Sequence, residues 1–223
     1  ARAQGLLDRH GVLTRGTVAA ERVPGGFAGV YRVLSAFEER GRARRGYFVE
    51  GLGGAQFAMD GAADRLRSVS GRLERAGAQG WAAAAPGRTA EQPEALVLAA
   101  ADPANAYGAA LPWPEPPAAE GAGNTAAHRP GRKAGALVVL VDGELVLYVE
   151  RGGKSLLSWA PDAVALEPAV QALAQAVRAG ALGSVTVERA NGAAALTSPL
   201  GQALEEAGFH PTPRGYRLRD QRG

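Results

Sequence analysis

The side chains with the clearest chemical potential in this sequence lie between residues 32 and 47. Five are arginines, which donate hydrogen bonds to phosphate oxygens, and one is a tyrosine whose ring can stack on a base. They are Arg32, Arg40, Arg42, Arg44, Arg45 and Tyr47. Few neighbouring residues are suited to hydrogen bonding with base edges. We therefore expect nucleic-acid contact mainly through phosphates, with Glu38 and Glu39 weakening the attraction on one side.

Carboxylates form a second group of candidates. A carboxylate near a pocket can stabilise positive charge that develops in a transition state. The candidates are Asp102, Asp142, Glu150, Asp162 and Asp220. Asp102 precedes a proline and Asp142 precedes a glycine, so both are explained by turns. Asp220 lies in a basic tail that favours its ionised form. Asp220 is therefore the catalytic candidate. Alternatively, it is only an exposed residue that pairs with the arginines around it.

A helix followed by a β-hairpin positions the arginines. After Pro24, Gly25 and Gly26, apolar residues recur at helical spacing (Phe27, Val30, Tyr31, Leu34, Phe37), and Gly41 predicts the end of this helix. Residues 47–49 and 56–58 predict two strands joined by the glycine-rich turn 51–54. Helices over 1–10 and 14–22, with a short strand at 12–13, precede this unit. This order is typical of a winged-helix DNA-binding module.

A further helix is predicted over residues 61–73, with Leu66 and Val69 facing inward. After residue 94, strands predominate. They are predicted at 96–101, 135–141, 144–150, 154–159, 185–189 and 215–219, with helices at 168–179 and 198–207. The sequence therefore predicts an α+β chain with a winged-helix domain at 1–78 and a Gly/Ala/Pro linker at 79–93. Residues 94–223 would form a mostly β, barrel-like or curled domain with two helices.

Composition excludes several classes of protein. The 223 residues are 46% hydrophobic and 21% charged, which is typical of a globular protein. The absence of cysteine excludes disulfides and thiolate metal sites, and the three histidines are far apart. With no long apolar run and no leader pattern, we expect a cytoplasmic protein without a membrane partner. Residues 1–78 contain 13 arginines against 8 acidic residues, so the basic surface belongs to this half.

Four segments resemble the C-terminal region of the long bacterial Lhr (large helicase-related) helicases. They are GVLTRGTVAAERVPGGFAGVYRVLSAFEERGRARRGYFVEGLGGAQFA, ADPANAYGAALPWP, GALVVLVDGELVLYVERGGKSLL and EEAGFHPTPRGYRLR. The resemblance implies the last winged-helix module of a longer chain, followed by a β-barrel similar to that of the AlkZ/YcaQ-type DNA glycosylases. It also implies that ATP and Mg²⁺ belong to a superfamily 2 motor elsewhere in the parent protein. No GxxxxGK[ST] loop occurs here, and no cofactor is expected in this fragment.

The sequence leaves three functions open. In the first, the chain is a DNA-binding accessory module of an ATP-dependent repair helicase, and it acts on single-stranded or 3′-tailed DNA beside upstream modules of the same chain. Alternatively, it contributes to a glycosylase site for uracil or damaged bases, with Asp220 as the carboxylate. A third alternative is a homo-oligomerisation module that uses the proline-rich loop around Trp113. Tyr107, Trp113 and Trp159 could stack on a base, although aromatic residues are more often buried in a core.

Overall fold

The computed structural model describes residues 2–78, 93–117, 129–180 and 182–219, with side chains as far as residue 71 in the first range. The contacts within the chain divide it into two compact units. The first unit comprises residues 1–91 and 106–112, and the second comprises residues 92–105 and 113–223. Almost all of the expected linker at 79–93 lies outside the described residues, so the predicted domain bounds stay a prediction.

The first unit has the winged-helix order of elements. They are α1 (Arg2–His10), β1 (Val12–Leu13), α2 (Arg15–Ala20), α3 (Gly26–Glu39), β2 (Ala43–Gly46), β3 (Gln56–Met59) and α4 (Ala62–Ala78). The three strands form an antiparallel sheet in the order β1-β3-β2. This arrangement confirms the winged-helix prediction and places α3 in the position of the recognition helix.

The core of the first unit forms where α1, α2 and α3 cover the small sheet. Its buried side chains include Leu6, Leu7, Leu13, Val18, Val30, Leu34 and Phe57. Full burial of one such side chain stabilises a fold by about 1.5 to 3 kcal/mol. The rings of Tyr31 and Phe57 meet edge to face, with centroids 5.6 Å apart. This contact holds α3 against β3.

Glycine sets the C-terminal end of α3. Gly41 has a left-handed φ of 68°. Its N–H donates to the Glu38 carbonyl at 2.9 Å, while the Arg42 N–H donates to the Phe37 carbonyl at 2.8 Å. These two bonds form a Schellman motif, which turns the chain directly into β2. The predicted stop at Gly41 is confirmed.

Two predictions for the first unit are wrong. The strand expected at 47–49 lies at 43–46 instead, and residues 47–55 form the wing loop. The N–H groups of Phe48 and Val49 donate to the side chain of Gln56, which replaces the pairing of a strand. Leu66 and Val69 of α4 are 39% and 38% exposed, because α4 packs against β3 and not over the core.

The second unit contains two sheets and two α-helices. Its elements are β4 (Ala95–Ala99), β5 (Leu137–Val141), β6 (Glu144–Val149), β7 (Ser155–Ser158), α5 (Ala163–Arg178), β8 (Val185–Val187), β9 (Arg189–Ala190), β10 (Ala193–Ala194), α6 (Pro199–Glu206), β11 (His210–Thr212) and β12 (Gly215–Leu218), with a 3₁₀ turn at Ala195–Thr197. One sheet has the order β10-β9-β7-β6-β5-β4 and the other has the order β11-β12-β8. The α+β class and the two helices are confirmed.

Helix α5 packs on the six-stranded sheet through Leu166, Val170, Leu173 and Val177. Its predicted start at Pro168 is wrong. The helix begins at residue 163, where the Asp162 side chain accepts a hydrogen bond from the Ala165 N–H at 2.8 Å. Proline commonly occupies the first turn of a helix, which explains the misplaced start. Burial of the side chains on both sides of Pro168 stabilises the longer helix.

Among the residues that the structure describes, the strands do not close into the barrel that the resemblance implies. Within the described residues, the six-stranded sheet is open, with β10 and β4 at its two edges. The hairpin predicted at Asp142-Gly143 does form, with left-handed φ values of 50° and 88°. In the part of the chain that the structure describes, no helix is long and apolar enough to cross a bilayer.

An ion-pair cluster joins α1 to the end of α2. The Glu21 carboxylate accepts from Arg9 at 3.0 Å and contacts the His10 ring at 3.1 Å, so His10 has a structural role. Partial burial alone would raise the pKa of Glu21, but the hydrogen bonds and charges of Arg9 and His10 outweigh it and lower the pKa.

We predict that Glu21→Gln reduces stability by about 0.5 to 1 kcal/mol at neutral pH. Because the pKa is lowered in the folded state, this contribution exists above the ordinary value of 4.5 and is lost as pH falls through the folded value. Urea unfolding at pH 7 and at acidic pH measures the difference. Glu39→Gln, an exposed change on α3, should have little effect at either pH. An equal loss for Glu21→Gln at both pH values would contradict the ionic explanation.

Candidate nucleic-acid interface

Helix α3 exposes one face to solvent because its opposite face is buried. Val30 and Leu34 point into the core, whereas Ala28, Gly29 and Arg32 are exposed. The small residues before Arg32 add little bulk to this face, so a nucleic-acid backbone could approach the helix closely. This exposed face lies opposite the apolar side of the helix that the sequence predicts.

Two of the predicted arginines keep their donors available for a ligand. The side chain of Arg32 is exposed, and no described residue forms a hydrogen bond or ion pair with it. Arg40 caps the end of α3 and donates only a long bond, of 3.4 Å, to the Ala36 carbonyl. Since a guanidinium has five N–H donors, most of those on Arg40 remain free for phosphate.

Arg42 is fixed in place by the first unit itself. Its guanidinium lies over the Phe37 ring, 4.6 Å from the centroid, and its Nη2 donates to the Gln4 Oε1 at 3.0 Å. Both contacts leave the charge at the surface. Arg42 is therefore a positioned cation at the junction of α3 and β2.

Arg44 and Arg45 project from opposite faces of β2, because side chains alternate along a strand. Arg44 pairs with Asp60 at 3.3 Å. Arg45 lies opposite Phe57 and faces α3, where its Nη1 donates to the Tyr31 hydroxyl at 2.8 Å and its Nε contacts the Glu38 carboxylate at 3.2 Å. These contacts raise the pKa of Arg45. Both arginines are partly neutralised within the fold.

Tyr47 begins the wing loop and is 83% exposed. Its ring borders a groove of about 370 Å³ between the wing and α4. The groove is lined by Tyr47, Phe48, Val49, Glu50, Ala63, Leu66, Arg67 and Ser70. An exposed ring beside a cation can stack on an unpaired base.

Gln56 shapes the wing loop, and the sequence contains no signal that would have identified it. The side chain is almost fully buried. Its Oε1 accepts from the N–H groups of Phe48 and Val49 at 2.9 Å each, while its Nε2 donates to the carbonyls of Val49 and Gly53. One amide thus satisfies four backbone groups and fixes the loop that carries Tyr47.

Two further arginines near the start of α3 were missed by the sequence prediction. Arg15 begins α2 and lies over the Phe27 ring, 5.3 Å from its centroid. Arg22 is exposed in the α2–α3 connection, where its backbone has a left-handed φ of 49°. Arg22 lies two residues before Pro24, which could have drawn attention to it, whereas the contact of Arg15 with Phe27 joins residues distant in the sequence.

The candidate carboxylates in the described residues all have structural partners. Asp102 accepts from the Ala104 N–H at 2.8 Å, as its predicted turn requires, and Asp142 accepts from the Glu94 N–H at 3.0 Å. Asp162 caps α5, and Glu150 pairs with Lys133 at 3.3 Å. Asp220 lies outside the described residues. Its catalytic role stays a prediction.

The aromatic candidates of the second unit belong to its packing. Trp113 meets the buried Tyr148 edge to face, with centroids 5.7 Å apart, and the Trp159 ring N–H donates to the Glu115 carbonyl at 2.6 Å. Burial and the nearby Glu150 charge raise the pKa of Tyr148 to about 12. Tyr107 is half-buried in the first unit. Among the described residues, no acidic or histidine side chains cluster to hold a metal ion.

The helices, the three-stranded sheet and the wing of the first unit define a winged-helix module. Residues 1–78 match the family described as "Large helicase-related protein, winged-helix domain". This part of the chain therefore belongs to the winged-helix domains of the large helicase-related (Lhr) family.

Two curated relatives extend the similarity over nearly the whole chain. "Lhr helicase/ probable uracil glycosylase" of Mycolicibacterium smegmatis is 52% identical over 97% of this chain. "Lhr helicase/uracil glycosylase" of Escherichia coli K12 is 38% identical over 96% of it. The chain spans only 14% and 12% of the lengths of these two relatives. It corresponds to a small segment of much longer proteins, as the sequence resemblance implied.

We predict that Glu38→Gln strengthens binding to single-stranded DNA about two- to threefold more than Glu39→Gln does at low salt. Both variants remove one negative charge, but only the first releases Arg45 from its carboxylate partner. Fluorescence anisotropy at two salt concentrations measures the difference, which should shrink as salt rises. Equal gains in the two variants would show that the Arg45 contact does not restrain binding.

Proposed function

We propose that this chain is a DNA-binding accessory segment of an Lhr-type helicase. In this proposal, α3, its basic C-terminal end and the wing contact the phosphates of single-stranded or 3′-tailed DNA. The wing could add stacking of an unpaired base on Tyr47. Other domains of the same long protein would supply ATP hydrolysis with Mg²⁺.

The exposed Arg32 on the free face of α3 carries the proposal. Arg40 and Arg42 continue this basic surface toward β2, and Arg15 and Arg22 flank the opposite end of the helix. A series of exposed guanidinium groups favours phosphate over base edges, so binding would be independent of sequence and sensitive to salt. The word "helicase" in the names of both relatives supports a nucleic-acid ligand.

We predict that the double variant Arg32→Gln/Arg40→Gln weakens binding to single-stranded oligonucleotide. Loss of two phosphate contacts should reduce the steepness of the fall of log K with log salt by about 1.4, since each contact on a single strand contributes about 0.7. Anisotropy titrations with the 223-residue chain over a range of salt concentrations measure this slope.

The matched control is Arg2→Gln/Arg65→Gln, which removes two exposed arginines, one from α1 and one from α4. Its slope should remain close to that of the wild type. If the two double variants lose binding equally, total charge determines affinity and the α3 surface does not. If the wild-type chain fails to bind at low salt, the proposal is wrong.

A second candidate function is participation in a DNA glycosylase site. The names of both relatives include uracil glycosylase, and this is the observation that favours it. Asp220 remains the proposed carboxylate, since the other candidates are engaged in turns, a helix cap and an ion pair. Its position after Arg219 would favour the ionised form.

We expect Asp220→Ala to reduce uracil excision by at least about a hundredfold if this carboxylate stabilises the transition state. Uracil-containing oligonucleotides are incubated with the chain and then cleaved with alkali to reveal abasic sites. Asp102→Ala, which removes a turn carboxylate, is the control and should retain excision. Intact strands with the wild-type chain would exclude a self-sufficient glycosylase site in this segment.

A further inference from the structure

The sheet β11-β12-β8 of the second unit has one buried and one solvent-exposed face. Val185, Val187, Tyr216 and Leu218 are buried in the core with α5 and α6. Because side chains alternate along each strand, the residues between them point to solvent. Arg217 and Arg219 are both exposed, and Thr186 is partly exposed.

The strand register aligns polar side chains across this outer face. Arg217 lies opposite His210 on one side and opposite Thr186 on the other. Neighbouring strands are about 4.8 Å apart, so these three residues form a row about 10 Å wide. Arg219 is exposed and follows Leu218, the last residue of β12. Thr212 shares this face with His210.

Arg217, Arg219, His210 and Thr186 are cationic or can donate a hydrogen bond, whereas the Thr212 hydroxyl already donates to the Gly215 carbonyl at 2.7 Å. Glu188 follows Thr186 by two residues, and its carboxylate pairs with Lys154. We call the set formed by Thr186, His210, Thr212, Arg217 and Arg219 the outer sheet face. Within the described residues, neither arginine forms an ion pair or a side-chain hydrogen bond.

Acidic side chains of the adjoining segments have other partners. Glu188 contacts Lys154 at 3.4 Å, and Glu205 accepts from the Tyr216 hydroxyl at 3.4 Å. The positive charge of the outer sheet face is therefore not neutralised by described residues.

We propose that the outer sheet face is a second binding surface for the phosphate backbone of DNA. Arginine together with a threonine hydroxyl, here that of Thr186, is a typical set of phosphate donors. Arg217 and the nearby exposed Arg219 supply two cations for the repeated charges of a nucleic-acid strand. The surface would bind DNA without reading its base sequence.

Two observations favour nucleic acid over a protein partner on this face. None of its residues is a large apolar side chain, whereas the central part of a protein interface is usually rich in them. The edge strand β11 contains Pro211, which has no N–H to offer an added strand. The inference rests on the proposed function only in taking DNA as the ligand, because its residues are separate from α3 and the wing.

The test is the salt dependence of DNA binding by the 223-residue chain with changes on each surface separately. We expect Arg217→Gln/Arg219→Gln to reduce the steepness of the fall of log K with log salt by about 1.4 for single-stranded DNA. Lys133→Gln/Arg151→Gln removes two exposed charges elsewhere in the second unit and should leave the slope unchanged. Circular dichroism and thermal melting confirm that each variant is folded.

A gain-of-charge variant provides a second measurement that misfolding cannot imitate. Thr186→Arg places another cation beside Arg217 in the same cross-strand row. It should increase the affinity at low salt and make the fall of log K with log salt steeper by about 0.7. A variant that folds and binds no more tightly than the wild type contradicts the proposal.

The outcomes separate this inference from the function proposed for α3. If only Arg32→Gln/Arg40→Gln lowers the slope, the outer sheet face is not a DNA surface and the α3 proposal stands. If only Arg217→Gln/Arg219→Gln reduces the steepness of the salt dependence, the outer sheet face is a DNA surface and the α3 proposal is wrong. A wild-type chain that binds anionic vesicles of phosphatidylserine but no DNA overturns both.

Discussion

The burial of one face of α3 in the core of the first unit is the constraint on which that unit depends. Val30 and Leu34 lie in this core, and the Tyr31 ring meets the buried Phe57 ring edge to face. A helix held in this way must present its remaining face to solvent. The exposure of Arg32 is therefore a direct consequence of core packing.

Acidic neighbours limit how much of the positive charge can reach a ligand. Glu38 holds Arg45, and Asp60 holds Arg44, so five arginines close in sequence do not act as five equivalent cations. Such exposed pairs contribute little to stability, since solvent screens them. Their main effect is to select which guanidinium groups remain available, and these are Arg32 and Arg40.

Alternation along strands has the same consequence in the second unit as helical periodicity has in the first. The core takes Val187, Tyr216 and Leu218, which leaves Arg217 on the opposite side of the sheet. In both units, hydrophobic burial on one side determines where a basic surface can form. A chain that spans only 14% of a long relative can thus offer two separate basic faces.

Local patterns in the sequence were enough to determine α3, its end at Gly41 and the hairpin at Asp142, because periodicity and turn chemistry act over a few residues. The same patterns, with the resemblance, predicted the winged helix and the arginines around it. Only the tertiary structure decided which arginines are free, because Glu38, Asp60 and Tyr31 reach them through side-chain contacts between elements. The tertiary structure also determined that the Gln56 side chain holds the wing loop, that Leu66 is exposed and that the six-stranded sheet is open. These features depend on which surfaces meet, and no local pattern encodes that.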